Sequence, residues 1–330
     1  MIACTKAPIW STSMSASERS HRVVRLLLAT PPSQSHAWRE AFAAELPGAS
    51  IEMWPAVSAA PDYVAVWKPP AVLFREIERP KAIFNLGAGV DALLRMRELP
   101  ADIPIVRLED AGMAQQMAQY VTLAVLAAHR SERAYAAQQK SRSWQAIATD
   151  PTGSFEVGIL GLGVLGRACA DALRMLGYPV LGWSRTPTHI AGISTFSGRD
   201  GFDTVLGRSR VLVCLLPLTD DTLDLLDLNA LSRLPRGAHL VNVSRGELVV
   251  EQDLLELLDR GHLSGATLDV FRDEPLPAGH PFWHHPGIVV TPHISAVTQL
   301  PEAAAQIAAK IVRLESHEAV TGVVDRVRGY

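Results

Sequence analysis

Residues 157–166, Val-Gly-Ile-Leu-Gly-Leu-Gly-Val-Leu-Gly, constrain the fold of this chain more than any other stretch. A short apolar strand runs into a Gly-x-Gly-x-x-Gly turn and on into an apolar helix, an order that seats a dinucleotide at a strand-to-helix junction. Gly161 permits the tight turn, Gly163 lets the backbone approach a pyrophosphate, and Gly166 lets a helix over 167–176 pack close to the sheet. Val164 and Leu165, inside the motif, belong to the same cofactor loop, and the phosphate charge sits on the helix N-terminus. Glycines at this spacing also occur in ordinary turns; the flanking strand and helix are what make the motif informative. The motif lies mid-chain, so the first half builds something else.

Composition narrows the class. The 330 residues are 48% hydrophobic and 20% charged, enough for two domains with cores of their own. A net charge of -3 offers no basic footprint for nucleic acid, and apolar runs such as 211–218 are far too short to span a bilayer. Cys4, Cys169 and Cys214 are far apart and odd in number, so they define neither a disulfide framework nor a zinc site. That usage fits a reducing cytoplasm, with Cys169 and Cys214 read as small buried apolar residues. The Ser-rich residues 1–19 lack an apolar segment with a cleavage site and read as a disordered extension, with Met14 an alternative start.

Short, continuously apolar segments alternate with helical patterns along the chain. Strands are expected at 23–28, 63–67, 82–86 and 105–108, then at 156–160, 180–183, 211–215, 239–243, 267–270 and 288–291. Brief apolar strands separated by helices indicate parallel sheets covered on both faces, and two such series predict an α/β fold with two doubly wound parallel-sheet domains. An Ala-rich helix over 114–139, a polar connector at 141–154 and a boundary near 112 separate the series. A helix over 301–314 follows the last strand and can cross back, making the first domain discontinuous.

The second strand after the glycines ends Gly182-Trp183-Ser184-Arg185-Thr186. An acid there would hold a ribose 2′-hydroxyl and repel a 2′-phosphate; Ser184 and Arg185 instead suit the phosphate, favouring NADPH, with NADH the alternative. Arg185 as a solvated loop cation is the plain alternative reading. Three more strands carry polar residues just beyond their ends: Arg245, Glu274 and His293. In a doubly wound sheet such ends line one crevice. Arg clamps a carboxylate bidentately, His exchanges a proton near neutral pH, and a carboxylate beside it orients the ring and favours its charged form. Singly, each residue is more often a cap or a salt-bridge partner; the joint pattern reads as a catalytic set.

The segments 161–166, Asn242-Val243-Ser244-Arg245-Gly246, 268–277 and Thr291-Pro292-His293-Ile294-Ser295-Ala296 resemble, in order and spacing, the signatures of the D-isomer-specific 2-hydroxyacid dehydrogenase family. Asn85-Leu86-Gly87-Ala88-Gly89-Val90-Asp91, Arg107-Leu108-Glu109-Asp110, 183–186 and 324–330 resemble its glyoxylate/hydroxypyruvate reductase A group, and the similarity runs from about residue 22 onward.

The resemblance implies a Rossmann nucleotide domain, 113–292, inserted into a flavodoxin-like substrate domain formed by 20–112 and 293–330. It implies reduction of glyoxylate or hydroxypyruvate to glycolate or D-glycerate. Phosphoglycerate or a bulkier 2-oxo acid is the alternative substrate, and a catalytically silent nucleotide sensor is the rival of a different class. His293 is then the general acid, Glu274 holds its ring, and Arg245 pairs with the substrate carboxylate. Backbone N–H groups of Leu86, Gly87, Ala88 and Gly89 complete the carboxylate site. Asp269 orients the nicotinamide carboxamide, and Leu216, Pro217, Val243 and Ser244 run along the cofactor. Trp54 and Trp67 are pocket-wall candidates, with core packing the preferred reading for Trp67. His280, His284 and His285 read as solvated loop residues with no metal site. Gln119 stands where the family often has Glu, near the domain hinge. A homodimer through the 114–139 arm is implied, with neither nucleic acid nor membrane as partner.

Overall fold

The computed structural model describes residues 23–330, so the expectations for residues 1–19 and Cys4 lie outside the described residues. Strands β1 (Arg25–Ala29), β2 (Ser50–Met53), β3 (Tyr63–Val66), β4 (Ala82–Asn85) and β5 (Ile105–Arg107) form one parallel sheet ordered β2-β1-β3-β4-β5. Strands β6 (Val157–Leu160), β7 (Val180–Ser184), β8 (Ser194–Ser197), β9 (Val211–Cys214), β10 (Ala238–Asn242), β11 (Leu263–Leu268) and β12 (Ile288–Val290) form a second, ordered β12-β11-β10-β9-β6-β7-β8. The central strands β3, β4, β6, β9 and β10 are buried at every residue, which is why they read as mainly apolar runs, broken only by the buried Asn85 in β4 and His239 and Asn242 in β10. In the second sheet the order reverses between β6 and β9, the switch point at whose carboxyl ends a doubly wound sheet takes its ligand.

Helices α1 (Pro32–Glu45), α2 (Leu73–Glu76), α3 (Asp91–Leu94), α4 (Met113–His129), α5 (Glu132–Ser141), α6 (Val164–Met175), α7 (Gly198–Arg208), α8 (Leu228–Ser232), α9 (Glu251–Asp259) and α10 (Leu300–Glu315) cover the sheets. α6 buries Gly166, Cys169, Ala170 and Leu173, one face of a helix at three- and four-residue spacing. α10 buries Ala303, Ala304, Ile307, Ala308 and Ile311 in a core shared with Leu26, Leu28, Trp38 and Phe42, so the chain returns to the first sheet. Cys169 and Cys214 are buried, and burial pushes their thiols up to about 12 and about 11. Among the described residues no helix is long and apolar enough to cross a membrane.

Several expectations need correction. β2 and β8 were absent from the predicted strands, because Ser50-Ile51-Glu52-Met53 and Ser194-Thr195-Phe196-Ser197 are edge strands, half in solvent and without a continuous apolar run. The single helix over 114–139 is two. His129 closes α4 in the core, bonded to Tyr178 Oη and Asp150 O at 2.8 Å each and stacked on Phe155, and Ser131 then turns the chain at φ 52°. α5 buries none of its residues. α6 starts at Val164 rather than 167, placing Gly166 inside the helix. β11 begins at Leu263, four residues early, and pairs with β10 across an irregularity at Ala238 and His239.

The two passages of the chain between the sheets run side by side: Gln299 N–H donates to Ala111 O at 3.2 Å, and Gly112 has φ 76°. A β-carbon on Gly112 would sit 2.7 Å from Gln299 Cγ, so this approach needs glycine. A polar contact near the hinge, which Gln119 in place of Glu left in doubt, is made one turn earlier. Gln116 Nε2 donates to Gly112 O and Val297 O at 2.8 Å each, while Gln119 faces solvent.

Candidate active site

The loop at the carboxyl end of β10 meets the loop that follows β4 of the first sheet, through Arg245 against Gly89 and Asp91. In the glycine turn, Gly161 has φ 104°, and a β-carbon there would lie 2.7 Å from Leu215 O. One on Gly166 would collide with the Gly161 carbonyl. These two glycines are demanded by the protein's own packing. Gly163 is different: its φ is -72°, and a β-carbon there would meet nothing within 4 Å. It leaves open the approach to the α6 N-terminus, where the first N–H groups have no intrahelical acceptor, so the residues present fit a pyrophosphate.

Beyond β7, the Ser184 hydroxyl donates to Thr186 O at 2.7 Å and is occupied within its own turn. Arg185 is no free loop cation: Nη2 donates to Tyr330 Oη at 2.8 Å, and Nη1 lies 3.8 Å from the Asp221 carboxylate. Ser244 Oγ donates to Leu216 O at 2.5 Å and ties together the loops after β9 and β10. Pro217 O accepts from Thr222 Oγ1 at 2.7 Å, and Val243 is buried beneath that junction.

Arg245 follows β10 in an extended conformation, its carbonyl held by Asn242 Nδ2 at 2.8 Å. Its guanidinium crosses to the first sheet, where Nε and Nη2 reach Asp91 Oδ1 at 3.1 and 3.0 Å. Gly89 exists to admit it, since a β-carbon there would collide with the guanidinium. Asn85 Nδ2 shapes the facing loop by donating to Gly87 O and Gly89 O at 2.8 and 2.9 Å. Asp91 and Asn85 were legible only as motif letters; their partners are chosen by the fold. Leu86 departs from its expected role, because its N–H donates to Val66 O at 2.9 Å and is spent within the sheet. The N–H groups of Gly87, Ala88 and Gly89 are not so committed among the described residues. Against this loop the structure sets Trp67, at the end of neighbouring β3, with its ring over Gly87. Trp54, expected at the pocket wall, follows edge strand β2 and packs on the cluster of Leu27, Val64 and Val66 that also holds Val90, next to Gly89.

Glu274 Oε2 meets His293 Nδ1 at 2.8 Å, and Glu274 Oε1 accepts from Phe271 N–H at 3.1 Å. Burial alone would raise the Glu274 carboxyl. Hydrogen bonds from His293 and Phe271, with the charges of His293 and Arg245 nearby, instead hold it below the usual carboxylate range. Glu274 is thus acted on by both of the other candidate catalytic side chains. His293 has φ 55°, a left-handed conformation uncommon outside glycine, and its N–H donates to Asp269 O at 2.9 Å. The Asp269 side chain, expected to orient the nicotinamide carboxamide, is engaged by the protein's own donors. It is fully buried, and its carboxylate accepts from Thr291 Oγ1, Ile294 N and Ser295 N at 2.5, 2.9 and 2.8 Å, clamping the loop that bears His293. A buried carboxylate requires such donors, which turns it inward. Tyr120 Oη, unforeseen from sequence, joins this cluster through Thr291 Oγ1 at 2.5 Å.

Of the loop histidines His284 is exposed, as expected, while His280 and His285 are not simply solvated. His280 lies 3.3 Å from Glu251 and packs on Phe282, while His285 lies 3.3 Å from Asp259 and accepts from Gly287 N–H at 2.9 Å.

Residues 122–295 match the family described as D-isomer specific 2-hydroxyacid dehydrogenase, NAD binding domain. Glyoxylate/hydroxypyruvate reductase A of Serratia proteamaculans is 42% identical over 307 residues, 91% of this chain and 98% of that protein. Its namesake from Citrobacter koseri is 43% identical over 299 residues, 89% of this chain and 96% of that protein. Among solved structures, a D-isomer specific 2-hydroxyacid dehydrogenase from Xanthobacter autotrophicus, in complex with NADPH and MES, superposes with a TM-score of 0.89 at 38% identity, covering 94% of this chain and 100% of that one. An NADPH-dependent glyoxylate/hydroxypyruvate reductase from Sinorhizobium meliloti, with NADP and sulfate, gives 0.87 at 36% identity, covering 93% and 100%.

Proposed function

This chain belongs to the D-isomer specific 2-hydroxyacid dehydrogenase family, and we propose that it uses NADPH to reduce glyoxylate to glycolate and hydroxypyruvate to D-glycerate. The observation that carries the reading is the Arg245, Glu274 and His293 cluster facing the Gly87–Gly89 loop beside the glycine turn. NADPH, when bound, supplies the hydride that goes to C2 of the 2-oxo acid. Arg245 pairs with the substrate carboxylate and polarises the ketone, assisted by the N–H groups of Gly87, Ala88 and Gly89. Glu274 accepts a hydrogen bond from Nδ1–H and fixes the ring, so that Nε2 of His293 delivers a proton to the carbonyl oxygen and takes it back in the reverse direction. Arg185 receives the 2′-phosphate. Residues 113–292 act as the nucleotide-binding domain inserted into a substrate domain of 20–112 and 293–330, and closure of the cleft between them excludes water.

A homodimer through α4 and α5 is part of the same reading. It is supported by the exposed apolar residues Leu123, Leu126 and Tyr135 along that arm, with exposed Trp144 just beyond it. So is a cytoplasmic setting, consistent with the unpaired, buried Cys169 and Cys214.

The test follows NADPH and NADH absorbance with glyoxylate, hydroxypyruvate, pyruvate and phenylpyruvate, with His293→Ala as control. Oxidation of NADPH by the two small acids, lost in the variant, is expected. Turnover of bulky acids alone overturns the substrate assignment, and NADPH binding without turnover on any acid overturns the enzyme in favour of a sensor.

A further inference from the structure

Residues 323–330 bridge the two sheets. Val323 pairs with Val106, Val324 N–H donates to Ile105 O at 2.9 Å, and Arg326 Nη2 donates to the carbonyls of Pro100 and Ile103 at 2.7 Å each. From this anchor on the first sheet the backbone winds into a compact turn about Asp325. The Asp325 carboxylate accepts from the N–H groups of Val327 and Arg328 at 3.0 and 3.1 Å, and its carbonyl accepts from Gly329 N–H at 2.8 Å. Gly329 has φ 81°, and a β-carbon there would lie 3.1 Å from Thr219 Cγ2, on the loop that continues from Leu216 and Pro217. The turn therefore delivers Tyr330 to the side of the second sheet. There the Arg185 Cζ lies 5.2 Å from the Tyr330 ring centroid and Nη2 donates to the phenol oxygen at 2.8 Å.

We propose that Tyr330 is a positioning residue for Arg185, and through it sets the preference for a dinucleotide bearing a 2′-phosphate; this rests on the reading of Arg185 as the phosphate ligand. An arginine on an exposed loop must give up rotamer freedom each time it grips an anion. The tyrosine ring and oxygen hold it in advance, so that cost is met in the folded protein rather than at binding. The phenol oxygen accepts from Nη2 while its own hydrogen stays available to a phosphate oxygen. A dinucleotide with a 2′-hydroxyl has no use for either.

The test measures dissociation constants of NADPH and NADH, by fluorescence titration of the full chain, for Tyr330→Phe, Tyr330→Leu, Arg185→Ala and the Arg185→Ala/Tyr330→Leu pair. Tyr330→Leu is expected to weaken NADPH about fivefold relative to NADH, the loss of one exposed cation–π contact with its charged hydrogen bond. Tyr330→Phe falls between it and the parent, and Tyr330→Leu adds nothing to that ratio once Arg185 is Ala. Equal weakening of both cofactors, or no change in their ratio while Arg185→Ala abolishes the preference, overturns the role of Tyr330 and leaves the proposed function standing. An unchanged ratio in Arg185→Ala overturns the phosphate assignment, and this proposal with it.

Discussion

His239 lies on β10, the strand that leads to Arg245, and its ring is buried with Nε2 paired to Thr267 Oγ1 at 2.9 Å. Burial, reinforced by the charge of Arg133 from α5, pushes the imidazole down to about 3. In the unfolded chain the same ring titrates near 6.5. Between those values the unfolded state holds a proton that the folded state does not. The stability attached to this ring is therefore whole above pH 6.5 and is lost as the pH falls toward 3. The slope is about 1.4 kcal/mol per pH unit, so moving from about pH 7 to about pH 5 costs about 2 kcal/mol from this residue alone. His239→Gln keeps a polar partner for Thr267 and removes the titration. Urea unfolding of both proteins at the two pH values isolates the difference, because every other group is common to them. The variant should lose about 2 kcal/mol less stability than the parent across that interval. Equal losses in the two proteins would refute the reasoning, since they would mean that the buried ring accepts its proton without unfolding.

Glu274→Gln should lower kcat/KM for the 2-oxo acid by about a hundredfold, because His293 loses the charged acceptor beside its ring and keeps only a neutral amide oxygen; steady-state NADPH oxidation reads it. As the Glu274 carboxyl is held below the ordinary carboxylate range, its contribution to stability is present above that range and is lost as the pH falls through and below it, which pH-dependent unfolding of Glu274→Gln against the parent would register. Gly163→Ala and Gly166→Ala should separate binding from folding. The former finds open space, melts near the parent and binds NADPH weakly, while the latter drives a β-carbon into the Gly161 carbonyl and costs about 1–3 kcal/mol of stability, as thermal melts with and without NADPH would show. Asp91→Ala releases the Arg245 guanidinium and should lower kcat/KM for the acid about tenfold, mainly through KM, in the same NADPH assay.

Much of this protein is determined by sequence alone, wherever the cause is local. The apolar runs of β1, β3, β4, β6, β9 and β10 are visible because strands buried on both faces exclude polar residues over consecutive positions. Gly161 and Gly166 are visible because the tight turn and the helix beside it tolerate nothing larger. Arg245, Glu274 and His293 could be gathered on one crevice because parallel strands present their carboxyl ends together. Edge strands β2 and β8 were not legible, since half-solvated segments carry no continuous apolar signal, and the break between α4 and α5 depends on His129 meeting Tyr178 and Asp150. Only the tertiary structure could turn the Asp269 carboxylate inward, spend the Leu86 N–H on Val66, or bring Asp91 to Arg245 and Tyr330 to Arg185. Those last partners stand 154 and 145 residues apart in the chain. A pattern of neighbours specifies which face of an element is buried, but a side chain's distant partner is selected by the packing of whole sheets against each other, and no local spacing records that choice.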